Sequence, residues 1–331
     1  MKVIDAHTHW IPPEWVELVE KEGAANGVTM GRNSRGQLTA ALATSPAWSN
    51  TFIPMYTDID IRFKAMGACK VDMHVLSLAN PTAMVLWVKP EFGLKLCRLF
   101  NDSISAAHVK SPERFLGLAA LPMQAPELAV QEIERVSKLP GIRGVYIASH
   151  INGKNLDDKS FWPVYAKCEE LGLPIFLHPF QNIGAERLSK YYLINFLGNG
   201  FDTAVAAASL IFSGVLDAFP KLDVVLAHAG GAFPALVGRM DHGASVRPEA
   251  KMSKPPTSYV RRFYYDTITH NDQILMNLIR QMGADRIILG SDYPADMSCT
   301  RPVHMVERLT ELSASERELI LGGNTARLLK V

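Results

Sequence analysis

Two histidines separated by one residue lie near the amino terminus of the chain. His7 and His9 close a short apolar run in the sequence VIDAHTH. In a β-strand, alternate side chains point to the same face, so both imidazoles are expected on one side of such a strand. Two imidazoles directed at one point suit a borderline divalent cation such as zinc. The pair alone fits two hydrogen-bonded histidines at a strand end equally well.

Three further polar residues follow apolar runs later in the chain. His178 ends FLHP, His228 lies in LAHAGG and Asp292 lies in LGSDYP. Each of these side chains would be costly to bury without a partner. Because catalytic groups of parallel α/β barrels lie at the carboxyl ends of several strands, we expect all five residues to meet there. The sequence therefore predicts a metal-binding cluster.

Eight short runs rich in apolar residues alternate with segments of helical periodicity. Most of the runs are almost continuously apolar, as expected for parallel strands buried on both faces. The predicted strands are Val3–His9, Val71–Leu78, Phe115–Leu121, Ile142–Ala148, Leu173–Pro179, Asp223–Gly230, Phe263–Thr267 and Ile287–Asp292. The predicted helices include Pro126–Val136, Phe161–Leu171, Ala204–Ala218, Ile274–Met282 and Ala314–Leu329. This alternation predicts an α/β fold, a (β/α)₈ TIM barrel that forms a single domain over residues 1–331.

One segment interrupts the alternation of strands and helices. Residues 23–54 are rich in Gly, Ser, Thr and Asn. We interpret them as a small insertion after the first strand that forms a β flap over the barrel mouth. The alternative is a disordered surface loop.

Composition and charge exclude several classes of partner. The chain has 331 residues, 34 basic and 33 acidic side chains and a formal net charge of +1. No long run of like charge is present, so neither nucleic acid nor a membrane surface is an expected partner. The four cysteines include no CxxC pair, and neither a signal peptide nor an apolar span is evident, which together predict reduced thiols in a cytoplasmic protein.

The order of these residues along the strands resembles the amidohydrolase superfamily. In its two-metal subtypes a lysine at the end of the fourth strand bridges the ions, whereas this chain has Ser149 and His150 there, which favours a single metal. The chain is more specifically similar to the aminocarboxymuconate-semialdehyde decarboxylase branch of non-oxidative decarboxylases. The stretches that carry this resemblance are WVKPE at 87–91, RFLGLAALPMQAPELAV at 114–130, FWPVYAKCEELGLPIFLHP at 161–179, FPKLDVVLAHAGGAFPALVGRMDHG at 219–243 and ILGSDYP at 288–294.

The resemblance implies a role for each clustered residue. The implied metal ligands are His7, His9, His178 and Asp292. Zinc is the expected ion and manganese the alternative. His228 would act as the nearby base, and Asp292 would also carry a proton.

The resemblance also implies a substrate contact from a neighbouring subunit. Arg239, in VGRMDHG, would reach that subunit's site and bind a substrate carboxylate, since a guanidinium suits a carboxylate bidentately. The working unit would then be a homodimer.

The chain departs from the family pattern in the insertion. The branch has two arginines there that hold an acidic substrate, and the corresponding residues in this chain are Asn50 and Ile53. We therefore expect a different substrate, an aromatic or monocarboxylic acid, in a more apolar pocket near Trp48, Phe52 and Tyr56. His150 is a further candidate substrate contact.

Three functions are compatible with these residues. The leading prediction is metal-dependent, non-oxidative decarboxylation of an unsaturated or aromatic carboxylic acid. The second is hydrolysis of a lactone, ester or amide, or hydration of an unsaturated acid, since a metal-activated water suits these reactions as well. The third is a barrel that has lost its chemistry and only binds a metal or a partner.

Overall fold

A computed structural model describes residues 2–42, 45–79, 85–86, 88–180 and 183–331, and within these the side chains of all but residue 42 and residues 45–50. In this part of the chain the strands in order are β1 Ile4–Trp10, β2 Val28–Arg32, β3 Leu38–Leu42, β4 Ser45–Thr51, β5 Met73–Leu78, β6 Phe115–Ala120, β7 Ile142–Ala148, β8 His150–Ile151, β9 Lys154–Asn155, β10 Ile175–His178, β11 Val224–Leu226, β12 Phe263–Asp266 and β13 Ile287–Ile288. The α-helices are α1 Pro13–Glu22, α2 Pro54–Thr57, α3 Ile59–Cys69, α4 Pro90–Lys110, α5 Pro126–Val136, α6 Trp162–Leu171, α7 Asn199–Phe212, α8 Val215–Ala218, α9 Phe233–Val246, α10 Asp272–Met282, α11 Pro302–Glu307, α12 Ala314–Glu318 and α13 Asn324–Leu329.

Eight of the strands form one parallel sheet in the order β1-β5-β6-β7-β10-β11-β12-β13. The chain after β13 also pairs with β1. Ala6 N donates to Leu289 O at 2.8 Å, and His9 N donates to Tyr293 O at 2.7 Å. These bonds join the last strand to the first, so the sheet closes into the predicted (β/α)₈ barrel.

The barrel strands are buried on both faces, because helices cover the outside of the sheet while side chains fill the interior. Every residue of β1, β5 and β6 is buried, so neither face of these strands meets water. Helix α10 shows the matching amphipathic pattern, with Leu275, Ile279 and Met282 buried along one side.

The predicted elements are confirmed, with differences at their ends. The run Asp223–Gly230 forms a strand only at Val224–Leu226, because the backbone turns at His228 and Ala229, whose φ angles are positive. The helix expected over Ala204–Ala218 is divided into α7 and α8 at Gly214, whose φ is 79°.

A three-stranded antiparallel sheet of β2, β3 and β4 lies in the segment interpreted as an insertion. Thr39 of β3 pairs with Thr51 of β4, and Val28 of β2 pairs with Leu42 of β3. Val28 and Ala40 are buried against the main core. That this sheet acts as a flap, and that residues 1–331 make one domain, stay predictions. Among the described residues, every helix is too short or too polar to cross a membrane.

Candidate metal centre and active site

Four of the five clustered residues offer atoms that lie close to one another. One ligand atom each from His7, His178, His228 and Asp292 falls within 4.8 Å of the other three. His9 lies beside them, since its Nε2 is 2.8 Å from Asp292 Oδ1 and 3.2 Å from His7 Nε2. The structure therefore brings together all five residues that the sequence predicts to meet.

The barrel strands position these side chains at one end. His7 and His9 lie on β1, and His178 is the last residue of β10. His228 and Asp292 follow β11 and β13 and adopt positive φ angles of 52° and 64°. These two residues thus lie where the chain leaves the strand, in a conformation that non-glycine residues adopt uncommonly and that clusters at functional sites.

The glycines after His228 allow the turn that carries it. Gly231 has a φ of 58°, and a Cβ at this position would lie only 2.3 Å from Gly200 O on α7. A larger residue would push the turn away from α7. The LAHAGG motif therefore holds His228 against the helix that forms one wall of the site.

Three of the histidines have their Nδ1 atom occupied by a hydrogen-bond partner. An acceptor at Nδ1 fixes the proton there and leaves Nε2 with its lone pair, which is the usual arrangement for metal-binding imidazoles. The pairs are His7 with Asp266 Oδ2 at 2.7 Å, His9 with Ser77 Oγ at 3.0 Å and His178 with Pro179 O at 3.0 Å.

Ser77 can serve only as an acceptor for His9, because its own hydroxyl proton is used elsewhere. Ser77 Oγ donates to Thr8 O at 3.0 Å. The Nδ1 of His9 must then carry the proton, so its Nε2 faces Asp292 and the cluster without one.

His178 provides the clearest indication of a missing partner. Its Nε2 is buried and has no hydrogen bond to any described residue. Buried polar atoms are rarely left in this state. A cation at the centre of the cluster would satisfy it, so the residues present fit a divalent ion.

The spacing of the ligand atoms also fits one ion. His7 Nε2 lies 3.2 Å from His9 Nε2 and 3.4 Å from Asp292 Oδ1. Two nitrogens that each lie about 2.1 Å from one tetrahedral ion are separated by about 3.4 Å.

Asp266 holds the first histidine and the turn after β11 at the same time. Besides its bond with His7, it accepts the backbone N–H groups of His228 and Ala229, both at 2.8 Å, and of Ile268 at 3.0 Å. Asp266 therefore couples the orientation of the His7 ring to the position of His228.

Electrostatics keep His9, His178 and the carboxylate of Asp292 in metal-binding forms. Burial and the neighbouring histidines hold the pKa of His178 well below its usual value, and burial also lowers the pKa of His9. Burial opposes ionisation of Asp292, yet hydrogen bonds with His228, His7 and His9 hold its pKa well below the usual value.

His7 behaves differently because it lies between two carboxylates. Burial alone would lower its pKa, but hydrogen bonds with Asp266 and Asp292 raise that pKa to about 10. The centre therefore favours a positive charge at this point, which a divalent cation supplies.

A cavity of about 470 Å³ opens over His228 and Asp292. Its wall is mostly apolar, with amide and hydroxyl groups among the apolar side chains, and the described lining includes no Lys or Arg. The wall residues are Asn195, Phe196, Leu197, Asn199, Phe201, Ile268, Thr269, His270, Ile274 and Met297. The cavity thus suits a largely apolar ligand that carries few charges.

Three of the predicted substrate contacts, Arg239, His150 and Ile53, are not among the residues that line this cavity. Arg239 is exposed on α9, and His150 lies in the β8–β9 hairpin, where its Nδ1 accepts a hydrogen bond from Gly153 N. Ile53 is half-buried before α2. The side chains of Asn50 and Trp48 lie outside the described residues. These substrate assignments stay predictions.

The apolar wall comes from a different segment than expected. Phe52 and Tyr56 are buried in the hydrophobic core instead of lining the cavity. The wall is built by a π-helical turn at Ile194–Gly198 and the start of α7. Sequence patterns missed this wall because the exposed aromatic side chains of Phe196 and Phe201 resemble ordinary surface residues. The sequence does signal Asp266, because this residue ends β12, the seventh strand of the barrel, just as His178 ends β10, the fifth strand of the barrel.

Comparisons with known proteins agree with this geometry. A family model described as Amidohydrolase matches residues 4–331. The chain is 35% identical over 329 residues to the 2-amino-3-carboxymuconate-6-semialdehyde decarboxylase of Dictyostelium discoideum, with coverage of 98% of this chain and 91% of that protein.

Solved structures of decarboxylases share the fold. The 5-carboxyvanillate decarboxylase of Sphingomonas paucimobilis superposes with a TM-score of 0.85 at 28% identity, covering 100% of this chain and 99% of that one. A dihydroxybenzoic acid decarboxylase from Polaromonas sp., with bound manganese and the inhibitor 2-nitroresorcinol, has a TM-score of 0.80 at 26% identity, with 99% and 97% coverage.

Proposed function

The chain belongs to the amidohydrolase family, and we propose that it is a metal-dependent, non-oxidative decarboxylase of an aromatic or unsaturated carboxylic acid. The observation that carries this proposal is the set of imidazoles whose Nδ1 atoms are occupied and whose Nε2 atoms face Asp292 at the foot of an apolar cavity. The relatives named above are all decarboxylases, which makes a carbon–carbon lyase the best-supported class of enzyme.

We propose that His7, His9, His178 and Asp292 hold one divalent ion. When bound, this ion supplies Lewis-acid stabilisation of the negative charge that develops on the substrate. Ser149 directly follows β7, at the position where the two-metal subtypes have a bridging lysine. Its hydroxyl donates a hydrogen bond to Asp202 and accepts one from Phe180 N at 3.1 Å, so we assign it a structural role.

Zinc is our preferred ion. Three neutral imidazoles and one carboxylate form a ligand set that zinc takes readily. The Polaromonas enzyme binds manganese, so reconstitution with each metal in turn, followed by metal analysis and activity, tests this preference.

His228 is the residue that we assign to proton transfer. Its Nε2 is 3.7 Å from Asp292 Oδ2, its Nδ1 has no bond to another described residue, and it lines the cavity. Loss of carbon dioxide leaves an electron pair on the substrate carbon, which must be protonated. His228, as an imidazolium, would give its proton to that carbon and become neutral. It would then take up a new proton from solvent, and the carboxylate of Asp292 would stabilise the positive charge that this restores to the ring.

The lining of the cavity supports a substrate with one carboxylate, the group that is lost. A second carboxylate would meet only amide, hydroxyl and imidazole groups among the described lining residues, with no guanidinium or ammonium to balance it. We therefore propose an aromatic acid with one carboxylate, whose other substituents are hydroxyls or other uncharged groups, in preference to the dicarboxylate of the carboxymuconate enzymes.

We also propose a homodimer and a cytoplasmic location. Arg239 is exposed on α9 and would serve a neighbouring copy, and all four cysteines are free thiols. Sedimentation equilibrium of the wild type, and of Arg239→Gln as a variant that should keep the dimer but bind substrate less tightly, tests the first proposal.

A screen of aromatic monocarboxylic acids with metal-loaded protein tests the main proposal. We expect release of carbon dioxide together with loss of the substrate's ultraviolet absorbance, and neither change with the Asp292→Asn variant. A parallel panel of lactones and esters tests hydrolysis, the alternative function. Formation of acid without gas from that panel, with no turnover of any carboxylic acid, would replace decarboxylation by hydrolysis.

A further inference from the structure

A second, separate cavity of about 220 Å³ lies beside the catalytic one. It is formed by the segment that leads into α11, by α11 and the residue after it, and by His270, which lies two residues before α10. The polar side chains that line it are His270, Ser298, Thr300, Arg301, His304 and Arg308. We propose that it binds a small oxyanion, either a phosphate or the carboxylate of a small organic acid.

The charges around this cavity are one-sided. Four of its side chains, two arginines and two histidines, can be cationic, and none of the described lining residues is acidic. Asp272 lies nearby but is already paired with Arg308, whose Nε donates to its Oδ1 at 3.0 Å. That ion pair holds Arg308 in place and leaves its Nη1 for another acceptor.

Arg301 and His304 have no such carboxylate. Neither side chain forms an ion pair or hydrogen bond with another residue in the described part of the chain. Exposed arginines elsewhere are of two kinds. Arg280 and Arg261 are paired with Glu311 and Asp285, whereas Arg35, Arg187 and Arg239 have no ion pair within the described residues. What distinguishes Arg301 and His304 is that both line a cavity together with a second arginine. Donors that converge on a concave space without an acceptor leave the acceptor to be supplied by a ligand.

The chemistry of the donors indicates the class of that ligand. Guanidinium groups bind carboxylates and phosphates through charge-assisted, often bidentate hydrogen bonds. The hydroxyls of Ser298 and Thr300 add donors suited to further oxygens of a tetrahedral or planar anion. A neutral ligand would leave the like charges of this cavity unbalanced.

The cavity meets the catalytic one at a single residue. His270 lines both spaces and adopts a φ of 54° in the turn between β12 and α10. The proposed anion site therefore adjoins the catalytic cavity without including any of the clustered histidines or Asp292, and it stands whichever reaction the metal centre performs.

Isothermal titration calorimetry of the metal-loaded protein tests the proposal, with inorganic phosphate and with succinate as separate probes. We expect one site per chain for at least one probe, and binding at least about tenfold weaker in the Arg301→Gln/His304→Gln double variant, because a guanidinium donor and an imidazole donor are lost. Binding of phosphate alone would identify a phosphate site, and binding of both probes a general oxyanion site. The Arg280→Gln variant, which removes an exposed arginine elsewhere, should bind as the wild type does.

Two outcomes would overturn the proposal. One is that neither probe binds to the wild-type protein. The other is equal binding to the double variant, since the anion would then lie at the metal centre. Thermal unfolding of the double variant, which changes two exposed side chains, should match that of the wild type and so exclude misfolding as the cause.

Discussion

The metal cluster and the wall of the catalytic cavity are built in opposite ways. His7, His9 and His178 are at most 8% exposed and sit on or end barrel strands, with a hydrogen-bond partner behind each ring. Phe196 and Phe201 on the wall are 53% and 45% exposed and belong to the turn and helix outside the barrel. If the proposed roles hold, residues that carry the chemistry are fixed by the barrel, whereas residues that contact the substrate lie outside it, so the wall is able to change without disturbing the proposed ligands.

The two regions differ in rigidity because different numbers of neighbouring segments hold their residues in place. A barrel strand is bonded to another strand on both sides, so its side chains have little freedom. The segment Ile194–Gly198 forms π-helical turns and has exposed apolar side chains, as expected of a segment that contacts a ligand. The following predictions test this separation between cluster and wall, beginning with the largest effect.

Removing the Asp292 carboxylate, to which we assign both metal binding and proton transfer, should abolish metal binding and activity. We expect Asp292→Asn to lower kcat/KM by more than about 10³-fold, because it removes a ligand and a proton-transfer group together. Steady-state kinetics and metal analysis of the purified variant measure this. Asp296→Asn, a nearby carboxylate that accepts from Tyr192 OH at 2.8 Å, should keep its full metal content. An active Asp292→Asn enzyme would remove the basis of the proposed cluster.

Two histidine variants distinguish the ligand sets that the geometry permits. His9→Asn should lose the metal, whereas His228→Asn should keep it and lose about 10²–10⁴-fold in kcat, the range of general acid–base catalysis. Metal stoichiometry of the two variants measures this directly. If His228→Asn loses the ion and His9→Asn retains it, the ligands are instead the four residues with mutually close atoms, which include His228.

Changing the residue behind His7 should have an intermediate effect. We expect Asp266→Asn to weaken metal affinity or activity by about 10- to 100-fold, as for other partners of metal-bound histidines. Competition for the ion with a chelator of known affinity measures this. Asp223→Asn, at the opposite end of the barrel, is the matched control and should not change the affinity. An unchanged affinity in Asp266→Asn would show that the hydrogen bond to His7 does not orient the ligand.

Changing the wall should affect recognition alone. We expect Phe201→Ala to raise KM about fivefold with kcat nearly unchanged, since a half-exposed ring contributes roughly 1 kcal/mol of apolar contact to a bound ligand. Phe212→Ala, on the same helix but outside the cavity, should leave both constants unchanged. A large fall in kcat for Phe201→Ala, with KM constant, would mean that the wall takes part in the chemistry.

The fold was largely predictable because the signals are local and repeated. Continuous apolar runs such as Ile142–Ala148 coincide with strand β7, and Pro126–Val136 is a helix in the structure with the predicted bounds. The ends of runs were less predictable. The backbone turns at His228 and Asp292 although the apolar pattern continues, because a positive φ depends on contacts with distant segments such as Gly200 and His7.

The amino-acid sequence by itself determined the barrel and the five residues at its mouth, since strand ends and residue types suffice to place them. Only the tertiary structure decided which nitrogen of His7 and of His9 faces the centre, because that choice rests on Asp266 and Ser77, acceptors that are distant in sequence and that the fold brings to Nδ1. It also decided the cavity wall and the cationic cavity beside it. Both combine side chains from segments far apart in sequence, and no local pattern encodes that meeting.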